Sequence, residues 1–215
     1  MNQFSLNGEQ RRAYILVTQH AIANQPSPLR MYIGGCGGTG KTRVILALNE
    51  FFRQVGQSRR FRVCSYMGVA ARNVSGTMLH SALNLNERRG SGMNTKSIRD
   101  LITKWDGVDF LFVDEVSVIG RKMMVSIHKA LCAAKGNDLP FGGMNIIFAG
   151  DFGQLPPVAQ SALYKRSIGR KVSDPGVQAD VFGRLLWLSV NVVVLLVDSM
   201  RQAGEENKRF VELLH

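Results

Sequence analysis

Gly34-Gly35-Cys36-Gly37-Gly38-Thr39-Gly40-Lys41-Thr42 lies between a short apolar run, Met31 to Ile33, and a segment patterned as a helix. From Gly35 the spacing fits G-x-x-x-x-G-K-[ST], in which glycines let successive backbone N–H groups point at one anion. Side chains would block that approach, so Gly35, Gly37, Gly38, Thr39 and Gly40 are candidate phosphate contacts. Lys41 supplies a point charge for β- and γ-phosphates, and the Thr42 hydroxyl is a hard oxygen ligand suited to Mg²⁺. After Thr42, apolar residues at Val44, Ala47, Leu48, Phe51, Phe52 and Val55 form a helical stripe whose N-terminus faces the phosphates. A plain flexible glycine loop is the bland reading. The order of strand, loop and helix argues against it.

Working outward, 215 residues are enough for one large domain with a sizeable core. Lys and Arg total 27 against 16 for Asp and Glu, a net charge of +11 that suits a polyanionic partner such as nucleic acid or serves solubility alone. The charge is dispersed in short clusters such as Arg59-Arg60-Arg62 and Arg88-Arg89, each of which also reads as a solvated face. Cys36, Cys64 and Cys132 show no C-x-x-C pairing and no ligand spacing with histidine, so neither a zinc site nor a disulfide framework is indicated. Cys36 sits where the cradle uses backbone, which makes it a tolerated small residue rather than a nucleophile. The most apolar run, Val190 to Val197, is far shorter than a bilayer span and holds Asn191. The first residues lack the basic-then-apolar order of a secretory signal, so no membrane anchor is implied and an intracellular protein is expected.

In chain order, Asn7 caps a predicted helix from Gly8 to about Ala23, with Gln10 at the reciprocal position of a capping box. Pro26 and Pro28 end it, and Arg30 to Ile33 forms the first strand. A second strand is predicted at Phe61 to Ser65 and a short helix near Ala70 to Val74. Residues 84–96 turn polar and glycine-bearing, the composition of an exposed loop or hairpin insertion. A helix at about Ile98 to Lys104 precedes the strand Phe110 to Val113. The stripe Met123, Met124, Ile127, Leu131 and Ala134 predicts a further helix, and strands follow at Asn145 to Ala149 and Val192 to Val197. Apolar strands without strict alternation, separated by helices, predict a mostly parallel sheet covered on both faces, an α/β architecture in one domain over residues 1–215. Glu205 to His215 reads as the opening of an amphipathic helix that stops, so the chain is expected to be a fragment.

In such a sheet ligands gather at the carboxyl ends of strands. Asp114 follows one apolar run and is suited to Mg²⁺, while Glu115 beside it can orient and deprotonate an attacking water. A surface acidic pair at a helix start is the alternative. After Ala149 comes Gly150-Asp151-Phe152-Gly153-Gln154-Leu155-Pro156-Pro157, where Gln154 is a neutral group able to sense a γ-phosphate; by composition this is equally an ordinary turn. Arg201 supplies a guanidinium that could clamp phosphate oxygens, or is a surface residue.

Gly35 to Thr42, Val113-Asp114-Glu115, Gly150 to Pro157 and Met200-Arg201-Gln202 together resemble the first RecA-like domain of PIF-family DNA helicases, including those encoded by Helitron transposons. The likeness extends to Leu6-Asn7-Gly8-Glu9-Gln10, to Gly68 through Gly76 before Leu79-His80, and to Asp180-Val181-Phe182-Gly183. The resemblance implies a P-loop NTPase fold, ATP and Mg²⁺ as cofactors, and ATP hydrolysis coupled to 5′-to-3′ movement on single-stranded DNA and DNA forks. It also implies nuclear or mitochondrial work in DNA repair, recombination and telomere maintenance. By it, Gln10 reads the adenine, Lys41 and Thr42 hold phosphates and metal, Glu115 activates water, and Gln154 and Arg201 contact the γ-phosphate region. Gly68, Asn73 and His80 become DNA contacts, although His80 also fits an interior histidine.

Two departures stand out. Ser65-Tyr66-Met67-Gly68 replaces the family's proline and threonine before the glycine, and Met78 replaces a small hydroxyl residue, so two hydroxyl donors are lost from the DNA track. A second RecA-like domain of the same parent chain is expected beyond His215. The competing function is a degenerate, transposon-derived nucleic-acid binding module with a vestigial nucleotide site. A small-molecule kinase is a third reading, disfavoured by the absence of a lid-like arginine cluster and by Glu115.

Overall fold

The structure is a computed structural model that describes residues 4–23, 25–68, 71, 76–85, 95–165 and 174–198. Its centre is a six-stranded sheet in the order β3-β2-β4-β5-β1-β6. The strands are β1 (Arg30–Gly34), β2 (Phe61–Ser65), β3 (Thr77–Met78), β4 (Phe110–Asp114), β5 (Asn145–Gly150) and β6 (Val192–Leu195). All of these pairings are parallel. Helix α1 (Gly8–Ala23) precedes the sheet; parallel neighbours need crossovers, which are supplied by α2 (Lys41–Gln54), α3 (Thr95–Trp105), α4 (Arg121–Lys135) and α5 (Pro175–Leu188).

Alternation along β4 explains why the sheet is covered twice. Phe110 and Phe112 point to the face packed by Ala13 and Val17 of α1 and by Val44, Leu48 and Phe52 of α2. Leu111 and Val113 point to the other, under Leu101 and Trp105 of α3, Met124, Ile127 and Leu131 of α4, and Leu186 of α5. Every residue of β4 is buried, so its apolar side chains each contribute about 1.5–3 kcal/mol of burial. That is why its sequence shows no polar alternation.

The predicted architecture holds, with differences at the edges of elements. Helix α3 starts at Thr95, so Thr95 and Lys96 belong to it rather than to the 84–96 loop, and it ends at Trp105. Trp105 is drawn into the helix because its indole N–H bonds the Ala82 carbonyl (3.0 Å). The last strand is shorter than predicted: pairing with β1 runs to Leu195, and beyond it the Leu196 N–H still reaches the Gly34 carbonyl (2.8 Å). Helix α5 was not predicted, although its start carries a readable signal. Asp174 accepts from the Gly176 N–H (2.7 Å) and Pro175 occupies the first turn. The predicted helix near Ala70 to Val74 and the tip of the 84–96 loop lie mostly outside the described residues.

Candidate functional site: a phosphate cradle at three strand ends

The cradle connects β1 to α2. Gly38 (φ 93°) and Gly40 (φ 85°) take left-handed backbone that a β-carbon would strain. A β-carbon on Gly35 would lie 2.5 Å from Thr39 Oγ1 and 2.7 Å from the Leu196 carbonyl oxygen, so this glycine is required by close approach. Thr39 is buried; its hydroxyl donates to the Cys36 carbonyl (2.9 Å) and closes the loop. The Lys41 ammonium bonds the carbonyl oxygens of Gly35 and Cys36, the latter at 3.1 Å. Thr42, one residue into α2, is exposed.

Beside the cradle, β5 ends at Gly150 and β4 ends at Asp114. Gly150 has no side chain for a steric reason, since a β-carbon there would sit 2.9 Å from the Val116 backbone nitrogen. Burial pushes the Asp114 carboxyl up to about 6; the Glu115 charge adds to this, while the Glu115 N–H, donating to Asp114 Oδ1 at 3.0 Å, and Lys41 oppose it. Glu115 is half-buried with φ 59° and ψ 46°, a left-handed conformation costly for a side-chain-bearing residue. The chain thus turns sharply where β4 ends. The hydroxyls of Ser65, in register with Asp114, and of Ser117 are buried and find no hydrogen-bond partner among the described residues. They leave hydrogen-bonding capacity next to the acidic pair. The Thr42 hydroxyl and the Asp114 carboxylate are hard oxygen donors of the kind a hydrated Mg²⁺ takes.

Gln154 comes to the same place. Asp151 folds its loop into a tight turn, accepting from the Gly153 N–H (2.9 Å) while its carbonyl accepts from the Gln154 N–H (3.0 Å). A β-carbon on Gly37 would lie 3.6 Å from Gln154 Nε2, so the amide faces the cradle.

Gln10 differs from the expectation. It is fully buried: Oε1 accepts from the Asn7 N–H (3.1 Å), its own N–H donates to Asn7 Oδ1 (2.9 Å), and Nε2 donates to the Thr39 carbonyl (2.9 Å). The capping box is therefore present, but in this structure its glutamine ties α1 to the cradle instead of facing a base. The amide keeps one N–H and one lone pair beyond these bonds. Its neighbour Glu9 accepts from the Val197 N–H (2.8 Å), so the Asn7–Gln10 stretch clasps both the cradle and the exit of β6. Sequence reading gave Glu9 no role.

Gly68 and His80, two of the expected DNA contacts, lie toward the β2–β3 edge of the sheet, away from β1. His80 is half-buried with its ring edge-on to Tyr66 (5.1 Å), and a β-carbon on Gly68 would sit 3.3 Å from the Met78 sulfur. Met67 (48% exposed) and Met78 (44%) leave this strip apolar and open. Asn73 and Arg201 lie outside the described residues. No described helix is long and apolar enough to cross a membrane.

A parallel sheet covered by helices, with a glycine cradle, an acidic pair and a polar turn meeting at strand ends, defines a P-loop protein of the RecA-like class. The PIF1-like helicase family model matches residues 5–214, so this chain belongs to that family. The PIF3 helicase of Trypanosoma brucei brucei is 31% identical over 189 residues, covering 86% of this chain and 20% of that protein. Protein 030L of Invertebrate iridescent virus 6, itself uncharacterized, is 28% identical over 213 residues, covering 93% and 36%. The Pif1 helicase structure from Candida albicans superposes with a TM-score of 0.71 at 24% identity, over 97% of this chain and 43% of that one. A Bacteroides Pif1 structure bound to single-stranded DNA gives 0.64 at 22%, over 97% and 45%. The chain thus spans about a fifth to a third of these curated relatives and under half of these solved chains.

Proposed function

We propose that this chain is the first RecA-like motor domain of an ATP-dependent DNA helicase, coupling Mg-ATP hydrolysis to 5′-to-3′ movement on single-stranded DNA and to opening of forks. The observation that carries the reading is the convergence of the Gly35–Thr42 cradle, the Asp114–Glu115 pair and the Gln154 amide at the ends of β1, β4 and β5. Related Pif1 structures bound to single-stranded DNA, forked DNA and ADP-AlF3 support it.

When bound, ATP would supply the anhydride to be cleaved and Mg²⁺ would supply positive charge that offsets that of the phosphates. The cradle N–H groups hold the phosphates, and Lys41 exchanges the Gly35 and Cys36 carbonyls for phosphate oxygens. Thr42 and Asp114 are the residues that would hold the metal. Glu115 takes the proton from the attacking water, and Gln154 and Arg201 contact the γ-phosphate region. A second RecA-like domain of the parent chain supplies a further arginine; without such a finger, hydrolysis falls by a factor of about a thousand or more. Gly68, Asn73 and His80 contact the DNA strand.

The test is hydrolysis by the full-length parent with Mg-ATP and single-stranded DNA. The reading requires DNA-stimulated turnover that Lys41→Ala abolishes, and its absence refutes the motor. The exposed Met67 and Met78 favour a second reading, a binding module with a vestigial nucleotide site. That module would bind DNA with an affinity that salt weakens and a non-hydrolysable nucleotide leaves unchanged.

A further inference from the structure

Tyr32 stands on β1 just before the cradle, and no motif includes it. Its hydroxyl donates to the Gly150 carbonyl (3.2 Å), the same oxygen that accepts from the Gly35 N–H (3.3 Å). One carbonyl therefore joins the first residue of the cradle motif to the residue from which the Gln154 turn departs. The Tyr32 ring meets Phe152, inside that turn, at 5.4 Å, and Trp187 of α5 at 5.4 Å. Phe152 in turn meets Trp187 at 5.3 Å and Tyr164 at 5.3 Å. The ring lies over Gly34, where a β-carbon would touch it at 2.8 Å, so the bare glycine is what lets the tyrosine reach the Gly150 carbonyl. Burial, with the Asp151 charge adding to it, pushes the phenol up to about 12, so its proton stays in place as a donor throughout the working range.

We propose that Tyr32 is a positioning residue for the Gln154 turn, holding it against the cradle through the Gly150 carbonyl and passing its movement through Phe152 and Trp187 to α5. The proposal rests on the reading of Gln154 as the group that senses the γ-phosphate. Phe152 lies two residues before Gln154, so a shift of that amide toward a phosphate pulls on a ring in contact with three others. Edge-on aromatic packing is directional, and its change at Trp187 is a built-in spectroscopic reporter.

The 215-residue chain has two tryptophans, Trp105 and Trp187. Tryptophan emission is followed while the chain is titrated, in Mg²⁺, with ADP or with a non-hydrolysable ATP analogue. The analogue should change emission more than ADP does, and Trp187→Phe should remove the difference. Tyr32→Phe keeps the ring and loses only the hydrogen bond. It should lower the melt by no more than one hydrogen bond, yet lose at least about half of the emission difference and about fivefold of the affinity ratio between analogue and ADP, the size of one hydrogen bond. Phe152→Leu keeps the hydroxyl contact, breaks the ring contacts and should lose the emission difference as well. A purely structural tyrosine would shift the melt and leave both nucleotide ratios alone. Wild-type ratios in Tyr32→Phe, or an emission difference that survives Trp187→Phe, would overturn the proposal while leaving the motor reading standing. A wild-type chain that binds neither nucleotide would overturn both.

Discussion

Replacing Asp114 with asparagine should make the nucleotide-free protein more stable while removing its use of Mg²⁺. Asp114 is only 8% exposed, and its carboxyl, ordinarily near 3.8, is pushed up to about 6 chiefly by burial. Between those values the folded state binds the proton more tightly than the unfolded chain does. The stability contributed by this group is therefore fully present below about pH 4 and lost as pH rises through about 6. At about 1.4 kcal/mol per pH unit, the interval amounts to about 3 kcal/mol. Asparagine cannot ionise, and its carbonyl oxygen can still accept the Glu115 N–H now bonded at 3.0 Å. Urea unfolding of wild type and Asp114→Asn, without nucleotide, should give equal stabilities near pH 4 and an advantage of about 2–3 kcal/mol for the variant at pH 7.5. Comparing the two proteins cancels His20 and His128, whose values burial lowers. Equal stability at pH 7.5, or an advantage that does not change with pH, would refute the argument. If Asp114 holds the metal as proposed, Mg-nucleotide affinity of the wild type should weaken as pH falls below about 6, because a metal ligand must be deprotonated.

Gln10→Ala removes a fully buried amide that satisfies Asn7 and Thr39. It should cost about 1–3 kcal/mol in a thermal or urea melt and weaken nucleotide binding; an unchanged melt with weakened binding would make Gln10 a base reader alone. Gly40→Ala forces a side chain into φ 85° and should cost about 1–2 kcal/mol, whereas Gly8→Ala, where a β-carbon meets nothing, should leave the melt unchanged. Arg121→Met strips a 1%-exposed guanidinium from Asp180 (2.6 Å) and from the carbonyls of Ala162 (3.0 Å) and Lys165. The stranded partners should cost about 3–5 kcal/mol by urea unfolding; an effect below about 1 kcal/mol would show that water replaces the guanidinium.

The cradle, the acidic pair and the parallel sheet were legible because each depends on local chemistry. Left-handed turns at Gly38 and Gly40 need glycine wherever they occur, and a strand buried on both faces, such as Phe110 to Val113, must be apolar throughout. Even the Asn7–Gln10 capping box could be read from spacing, since it closes within a single turn. Its further tie to Thr39 spans 29 residues and leaves no pattern in the chain.

Tertiary structure alone decided what those groups do to one another. Tyr32 reads as an ordinary strand residue until β5 and α5 bring Gly150, Phe152 and Trp187 to it. The Asp114 carboxyl acquires its raised value only when the sheet and its helices exclude water around it. Spacing along the chain specified which residues could hold a phosphate, because backbone conformation and side-chain type are local properties. Packing set their protonation, their orientation and their connection to α5, because desolvation and long-range contacts exist only once distant segments meet.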